Sequence, residues 1–365
     1  MRTLPALSLI AFASLLPDAR GAPQTDEEIE TLVARERAGI DLLRRRGKVR
    51  TARAELGRML EEEPADAASR TLYALCHFEQ GHYERALEQG RRALQDAHGT
   101  QRAPLQAACA RNLSHMLLGL GRYQEALLVL EPLAGQPRFL DPGGNPRDAW
   151  ALGRALSESG DREASRRIWE LGQQAPHAGG WRELRAKALC EWALGRLQDA
   201  SRSLVLADRA ARADEGLEPD VLATLGRLYF ESEREVDVRG QRSAGDLFRE
   251  ALELHATHET ALLGLFALHR YNRQRISRTP SEILNDLLGV HPDSIEGLLA
   301  SASADISDGR LRSARATVAR LRELASGRRE VSTLRAALAR VEHRTLDCEA
   351  LLSALARTNP TDSRP

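Results

Sequence analysis

Lysine is nearly missing from this chain. Lys48 and Lys187 are the only two among 52 basic residues, which leaves 50 arginines. The 52 basic residues meet 52 acidic ones, so there is no net field to gather nucleic acid. Aromatic residues make up 4%, too few for a large sheet core and in keeping with helices packed through alanine and leucine. There are four cysteines, none in CxxC spacing, which speaks against a redox pair or a zinc cage. HExxH, GxSxG, a phosphate-binding GxxxxGK[ST] and a dinucleotide-binding GxGxxG are all missing, so no catalytic residues and no cofactor are expected. The one cluster with metal-ligand character is His255-Ala256-Thr257-His258-Glu259, which has no third ligand nearby and is read as a loop, so no metal is expected.

Apolar stretches are short. The longest, Leu4 to Leu16, follows the basic start Met1-Arg2-Thr3 and precedes the small residues Ala19 and Gly21. A run of that length is too short to span a bilayer but suits a secretory signal. Residues 1–21 are therefore expected to be a signal peptide, and residues 22–365 an exported chain, periplasmic or secreted, without a transmembrane segment. The arginine skew is what a GC-rich bacterial genome produces. Cys76, Cys109, Cys190 and Cys348 fall in helical core slots and are read as small hydrophobes.

What is present is a repeat. Gly47 and Gly81 lie 34 residues apart, and Val49, Ala52, Leu56 and Met59 after the first answer to Tyr83, Ala86, Gly90 and Ala93 after the second. Residues 67 to 98 show one unit. Leu72, Leu75, Cys76 and Phe78 stripe a first helix, Gly81 closes it, and Ala86, Leu87, Ala93 and Leu94 stripe a second. Neither helix can bury its apolar face alone, so each unit requires neighbours. The pattern recurs at Gly121, Tyr123, Ala126 and Leu130; at Leu152, Gly153, Gly160, Ala164 and Ile168; and at Gly195, Leu197, Ala200 and Leu204. It continues at Leu222, Leu225, Gly226, Tyr229, Ala244 and Phe248, and at Gly309, Leu311, Ala314 and Val318.

In these residues the chain resembles the tetratricopeptide-repeat family. The resemblance implies an all-α, right-handed α-solenoid of about nine helix pairs. The units are expected near 26–64, 67–98, 105–138, 145–178, 181–214, 218–256, 258–292, 295–326 and 330–362. Two turns are longer than the pattern allows, at 231–243 and 270–279. Leu351, Leu352 and Leu355 have no closing helix to cover them.

The same resemblance implies a concave groove lined by first helices. Mapping its inward positions gives Arg37, Arg111, Arg147, Arg154, Arg182, Arg185 and Arg227, more arginines than composition predicts, with His115, Trp150 and Phe230 on or near that surface. The candidate partner-binding residues are Arg111, His115, Trp150, Arg154, Arg185, Arg227 and Phe230. Such a strip suits an extended acidic peptide or an anionic glycan, because guanidinium forks carboxylates and stacks on rings. The run Arg44-Arg45-Arg46-Gly47-Lys48 is expected to be a solvated outer turn. The expected function is a non-catalytic, exported scaffold for protein–protein interaction. Two alternatives stand beside it: the repeat region of a longer exported protein with a hydrolase or peptidase domain past residue 365, and a periplasmic scaffold of polysaccharide export.

Overall fold

The computed structural model describes residues 26–100, 102–134, 145–175, 180–214, 216–232, 242–272 and 278–358. The expected signal segment and most of the two long turns lie outside these residues. Among them are eighteen helices and no strand. α1 (Asp26–Arg45) pairs with α2 (Val49–Glu62), α3 (Ala67–Glu79) with α4 (Tyr83–Gly99), and α5 (Ala103–Gly119) with α6 (Tyr123–Ala134). α7 (Pro146–Ser159) pairs with α8 (Arg162–Gln174), and α9 (Trp181–Ala193) with α10 (Leu197–Asp214). Then follow α11 (Pro219–Glu231) with α12 (Ala244–Leu254), and α13 (Glu259–Asn272) with α14 (Pro280–Val290). α15 (Ile295–Ser307) with α16 (Leu311–Ala325) and α17 (Arg329–Val341) with α18 (Thr345–Thr358) complete nine units.

Five of the first helices end in the same way. Gly47, Gly81, Gly121, Gly195 and Gly309 all have φ between 74° and 78°. The residue after each glycine donates its amide to a carbonyl five residues back, as His82 does to His77 and Arg122 to Leu117, both at 2.9 Å. That closure needs the left-handed region, which glycine enters without Cβ strain. In the ninth unit His343 takes the turn with φ 57°. The second helices pack through the small residues at Ala52, Ala86, Ala126, Ala200, Ala251 and Ala314, all with no measurable exposure. All four cysteines are free and buried, as core residues.

Odd-numbered helices pack against odd-numbered neighbours, α1 through α9 in one series and α11 through α17 in another. Among the described residues no even-numbered helix packs extensively on the next even-numbered one. The first helices are therefore drawn together and the second helices splay, which curves the array with its first helices inside.

The curvature is tight enough for the coil to meet itself. The turn of unit one touches the loop that follows unit six: a Cβ on Gly47 would lie 2.5 Å from the His255 ring. The turn of unit two meets the loop after unit seven, where the Tyr83 hydroxyl donates to the Asp293 carbonyl. The turn of unit three meets the loop after unit eight, where a Cβ on Gly121 would lie 2.5 Å from the Arg328 amide nitrogen. One apolar cluster accordingly joins Leu87, Leu117 and Leu130 to Ile295, Leu298 and Leu321.

This overturns one expectation. Arg44 and Arg45 are not on a solvated turn. Arg45 pairs with Asp41 and with Glu218, its side chain 4% exposed and that of Glu218 1%, and its guanidinium lies 5.4 Å from the centre of the Trp181 ring. Arg44 pairs with Asp41 and Glu79, and Arg46 donates to the Leu217 carbonyl at 2.5 Å. Positive charge that looked like surface decoration in one dimension forms the contact between coil turns. At the other end, Leu351 packs on Ala336, Ala339 and Cys348 of its own unit, whereas Leu346 and Leu352 remain 80% and 52% exposed.

Candidate binding face

The inner face is built by helical spacing. On α5, Arg111 and His115 stand four residues apart. On α7, Arg147 and Arg154 stand seven apart, and on α9, Arg182 and Arg185 stand three apart, so each pair shares one side of its helix. Neighbouring first helices then set these pairs side by side.

The arginines differ in what they hold. Arg111 pairs with Asp148 on the next first helix. Arg185 donates through Nε to the Thr224 hydroxyl at 3.1 Å. Arg227 pairs with Glu231 one turn along α11 at 2.7 Å and lies 5.4 Å over the Trp192 ring. Arg37 pairs with Asp66 at 3.2 Å, and Arg182 pairs with Asp41 at 3.5 Å while stacking 4.5 Å over Trp181. A bare, continuous basic strip is therefore not what the fold presents, because carboxylates of the same, the next or a distant unit already meet four of the seven mapped arginines.

Arg147 and Arg154 are the exceptions. Among the described residues neither forms an ion pair or a side-chain hydrogen bond. Burial, together with the positive charges of Arg111 and Arg182, pushes the Arg147 pKa down to about 10. Burial also lowers that of Arg154, only partly offset by the carboxylates of Glu158 and Glu296. Two guanidiniums that remain charged at neutral pH without a partner are poised for an anion.

His115 is exposed to water within the concave face. Desolvation there, with the charges of Arg154 and Arg185, pushes its pKa down to about 4, so it is neutral at pH 7. Its ring lies 6.1 Å from that of Phe78. The two other aromatic candidates are partly buried and hold ring or core contacts. Trp150 stacks on Trp169 of its own unit with ring centres 6.1 Å apart, and Phe230 packs against the core of units five to eight. Both rings thus brace the helix packing.

Reading the inward positions for arginine alone missed half of this face. The second residue of α11, α15 and α17 is acidic: Asp220, Glu296 and Glu330. The same positional mapping would have found them. Burial works to raise the Asp220 pKa, but Arg185, a hydrogen bond from His258 and the charge of Arg44 outweigh it and hold the carboxylate ionised far below its usual range. Those groups come from units one, five and seven, so Asp220 lies where the coil's two turns look at each other. His258 itself caps α13: its Nδ1 accepts from the Ala261 amide at 3.3 Å, and its Nε2 is 3.2 Å from Asp220. Among the described residues no group of three or more histidine, cysteine or acidic side chains is arranged to hold a metal.

Residues 45–133 match the family model described as anaphase-promoting complex, cyclosome, subunit 3. No curated protein matches the chain in sequence. Among solved structures, a chain of the APC/C hetero-tetramer Cut9-Hcn1 is similar at 15% identity and TM-score 0.46, over 83% of this chain and 54% of that one. This chain thus spans about half the length of that relative. A tetratricopeptide repeat protein from Parabacteroides merdae ATCC 43184 is similar at 15% identity and TM-score 0.40, over 81% of this chain and 94% of the other. YrrB, described as a TPR protein with an unusual peptide-binding site, is similar at 16% identity and TM-score 0.29, over 57% and 97%.

Proposed function

The chain is a tetratricopeptide-type repeat solenoid, and on that premise we propose that it is a non-catalytic scaffold holding an extended, carboxylate-bearing segment of a protein partner against its first helices. The observation that carries this is the pair of unpartnered guanidiniums, Arg147 and Arg154, on one side of α7. Every other arginine of the inner face is neutralised or hydrogen-bonded within the fold; these two hold charge in reserve. An arginine fork grips a carboxylate with two parallel bonds, and a two-turn spacing of about 10 Å spans roughly three residues of an extended chain.

An oligoglutamate peptide carrying a fluorophore at one end is the probe. Arg147→Glu with Arg154→Glu should abolish its binding, since losing one buried charge-assisted contact typically costs about 2–5 kcal/mol. Arg166→Glu with Arg167→Glu makes the same charge change on the outward side of α8, where both side chains are 73% exposed, and should leave affinity within about twofold of wild type. Equal binding by the two double variants would remove the inner face from the function.

The scaffold works outside the cytoplasm in this proposal. Its support is the Leu4 to Leu16 apolar run with Ala19 and Gly21 behind it. Amino-terminal sequencing of the protein from its native cell should begin near Ala22; a product retaining the first residues would end that part of the proposal.

A further inference from the structure

Three consecutive contacts between the coil's turns obey one rule, and it concerns backbone carbonyls. The last carbonyls of a helix have no partner within it. In units one to three, the carbonyl two residues before the turn glycine belongs to Arg45, Glu79 and Gly119. The His255 ring lies against the turn at Gly47, beside the Arg45 carbonyl, His291 lies beside the Glu79 carbonyl, and Arg328 Nη1 reaches the Gly119 carbonyl at 3.5 Å. The three side chains stand in the loops after units six, seven and eight, so each latch joins unit n to the loop five units on. Tyr83 on Asp293, Arg45 on Glu218 and Arg46 on Leu217 lie along the same line. Gly81 is 3.3 Å, from the place its Cβ would take, to the Asp293 Cβ. Glycine at these turns is thus needed twice, for φ and for the approach of the opposite loop.

The contacts run edge to edge. The turns inside units one to three form one rim of the solenoid, and the loops between units six to nine form the other. Latching one rim to the other closes the side wall over the first helices. The inner face nevertheless stays wet: His115 and Glu330 are exposed and Arg154 and Asp220 partly so.

We infer that the solenoid is a side-closed coil, and that its partner segment reaches the inner face end-on, through a mouth of the coil, so that a free chain end is required. This rests on the inner face being the binding surface. A partner that offers only a loop or a folded surface is excluded unless the His255, His291 and Tyr83 latches release. The interior carries Asp220, Glu296 and Glu330 as well as arginines, so the carboxylates of the segment are gripped at α7, where Arg147 and Arg154 stand.

The experiment uses the full chain and the oligoglutamate probe in two forms, one with free ends and one flanked at both ends by a small globular domain. Wild type should bind the free-ended probe and bind the doubly flanked one about tenfold or more weakly. Tyr83→Phe with His255→Ala and His291→Ala should bring the two affinities together. Equal affinity of wild type for both forms overturns end-on access while leaving the inner face as the binding surface. Binding of either form only to the triple variant also overturns it, because the mouths would then be shut. If the free-ended probe binds no version of the protein, the inner-face proposal fails and end-on access fails with it. Should the triple variant not fold, the comparison of the two probes on wild type still decides.

Discussion

Five turns of this molecule share one backbone conformation and have two different fates. Gly47, Gly81 and Gly121 lie against the opposite rim of the coil, while a Cβ on Gly195 or Gly309 would meet nothing within 4 Å. Their φ angles agree within 4°. Local sequence therefore specifies the turn equally well in both places, and says nothing of what the turn touches. A residue fixed by φ alone and a residue fixed by φ and by an opposing backbone are indistinguishable until the coil is assembled.

The largest difference between a latched and a free surface is expected at Arg45. Removing one partner of a buried ion pair strands the other, so Arg45→Ala should destabilise by about 3–5 kcal/mol through the uncompensated Glu218. Arg167→Ala removes an exposed pair with Glu163, whose side chains are 73% and 79% exposed, and should cost within about 0.5 kcal/mol. Urea unfolding followed by circular dichroism measures both; similar costs would mean that the contact between coil turns carries no stability.

The turns themselves give the next largest effect. Gly195→Ala should cost only the left-handed strain of a Cβ, about 1–2 kcal/mol. Gly121→Ala suffers the same strain, and its Cβ would lie 2.5 Å from the Arg328 nitrogen and 2.7 Å from the Gly327 carbonyl carbon. Backbone cannot swing aside as a side chain does, so about 1–3 kcal/mol of overpacking adds to the strain. Thermal unfolding of the two variants should separate them clearly, and equal losses would place the Gly121 contact in doubt.

Acid should act on the latched rim selectively, and most gently. Burial and the neighbouring charge of His258 push the His255 pKa down to about 4, against the opposing influence of Asp220 and of the Arg45 carbonyl. Burial lowers that of His291 as well, with the Glu79 carbonyl opposing. The folded state thus favours neutral rings and the unfolded chain binds the proton first. The contribution of these rings is complete above about pH 6.5 and is lost as pH falls toward about 4. Hydrogen exchange in the turns of units one and two should quicken over that window, while the free turn at Gly195 should change little. Uniform acceleration across all turns would show that the seam does not titrate as a unit.

The helix pairs were legible because their signals are local. A glycine, a following aromatic or leucine, and an alanine at the close contact repeat often enough for register to be read by eye. The binding face was legible in part. The contacts of the aromatic candidates were not legible, since Trp150 stacks on Trp169 and Phe230 packs on the core of neighbouring units. Which arginines are neutralised depended on carboxylates one unit away, such as Asp148 for Arg111, or five units away, such as Glu218 for Arg45. The acidic residues opening α11, α15 and α17 were visible at mapped positions and escaped notice only because arginine is so abundant.

Sequence by itself determined the unit: two amphipathic helices, a glycine turn, a small residue at the crossing, and neighbours on both sides. Only the tertiary structure decided that unit one meets unit six, that the Arg44–Arg46 run is a seam between coil turns, and that, of the mapped inward arginines, Arg147 and Arg154 find no ion-pair partner among the described residues. The reason lies in accumulation. Each interface rotates the next unit by a small angle set by how its side chains pack. Five such angles must be summed before the rims touch, and no single stretch of sequence states the sum.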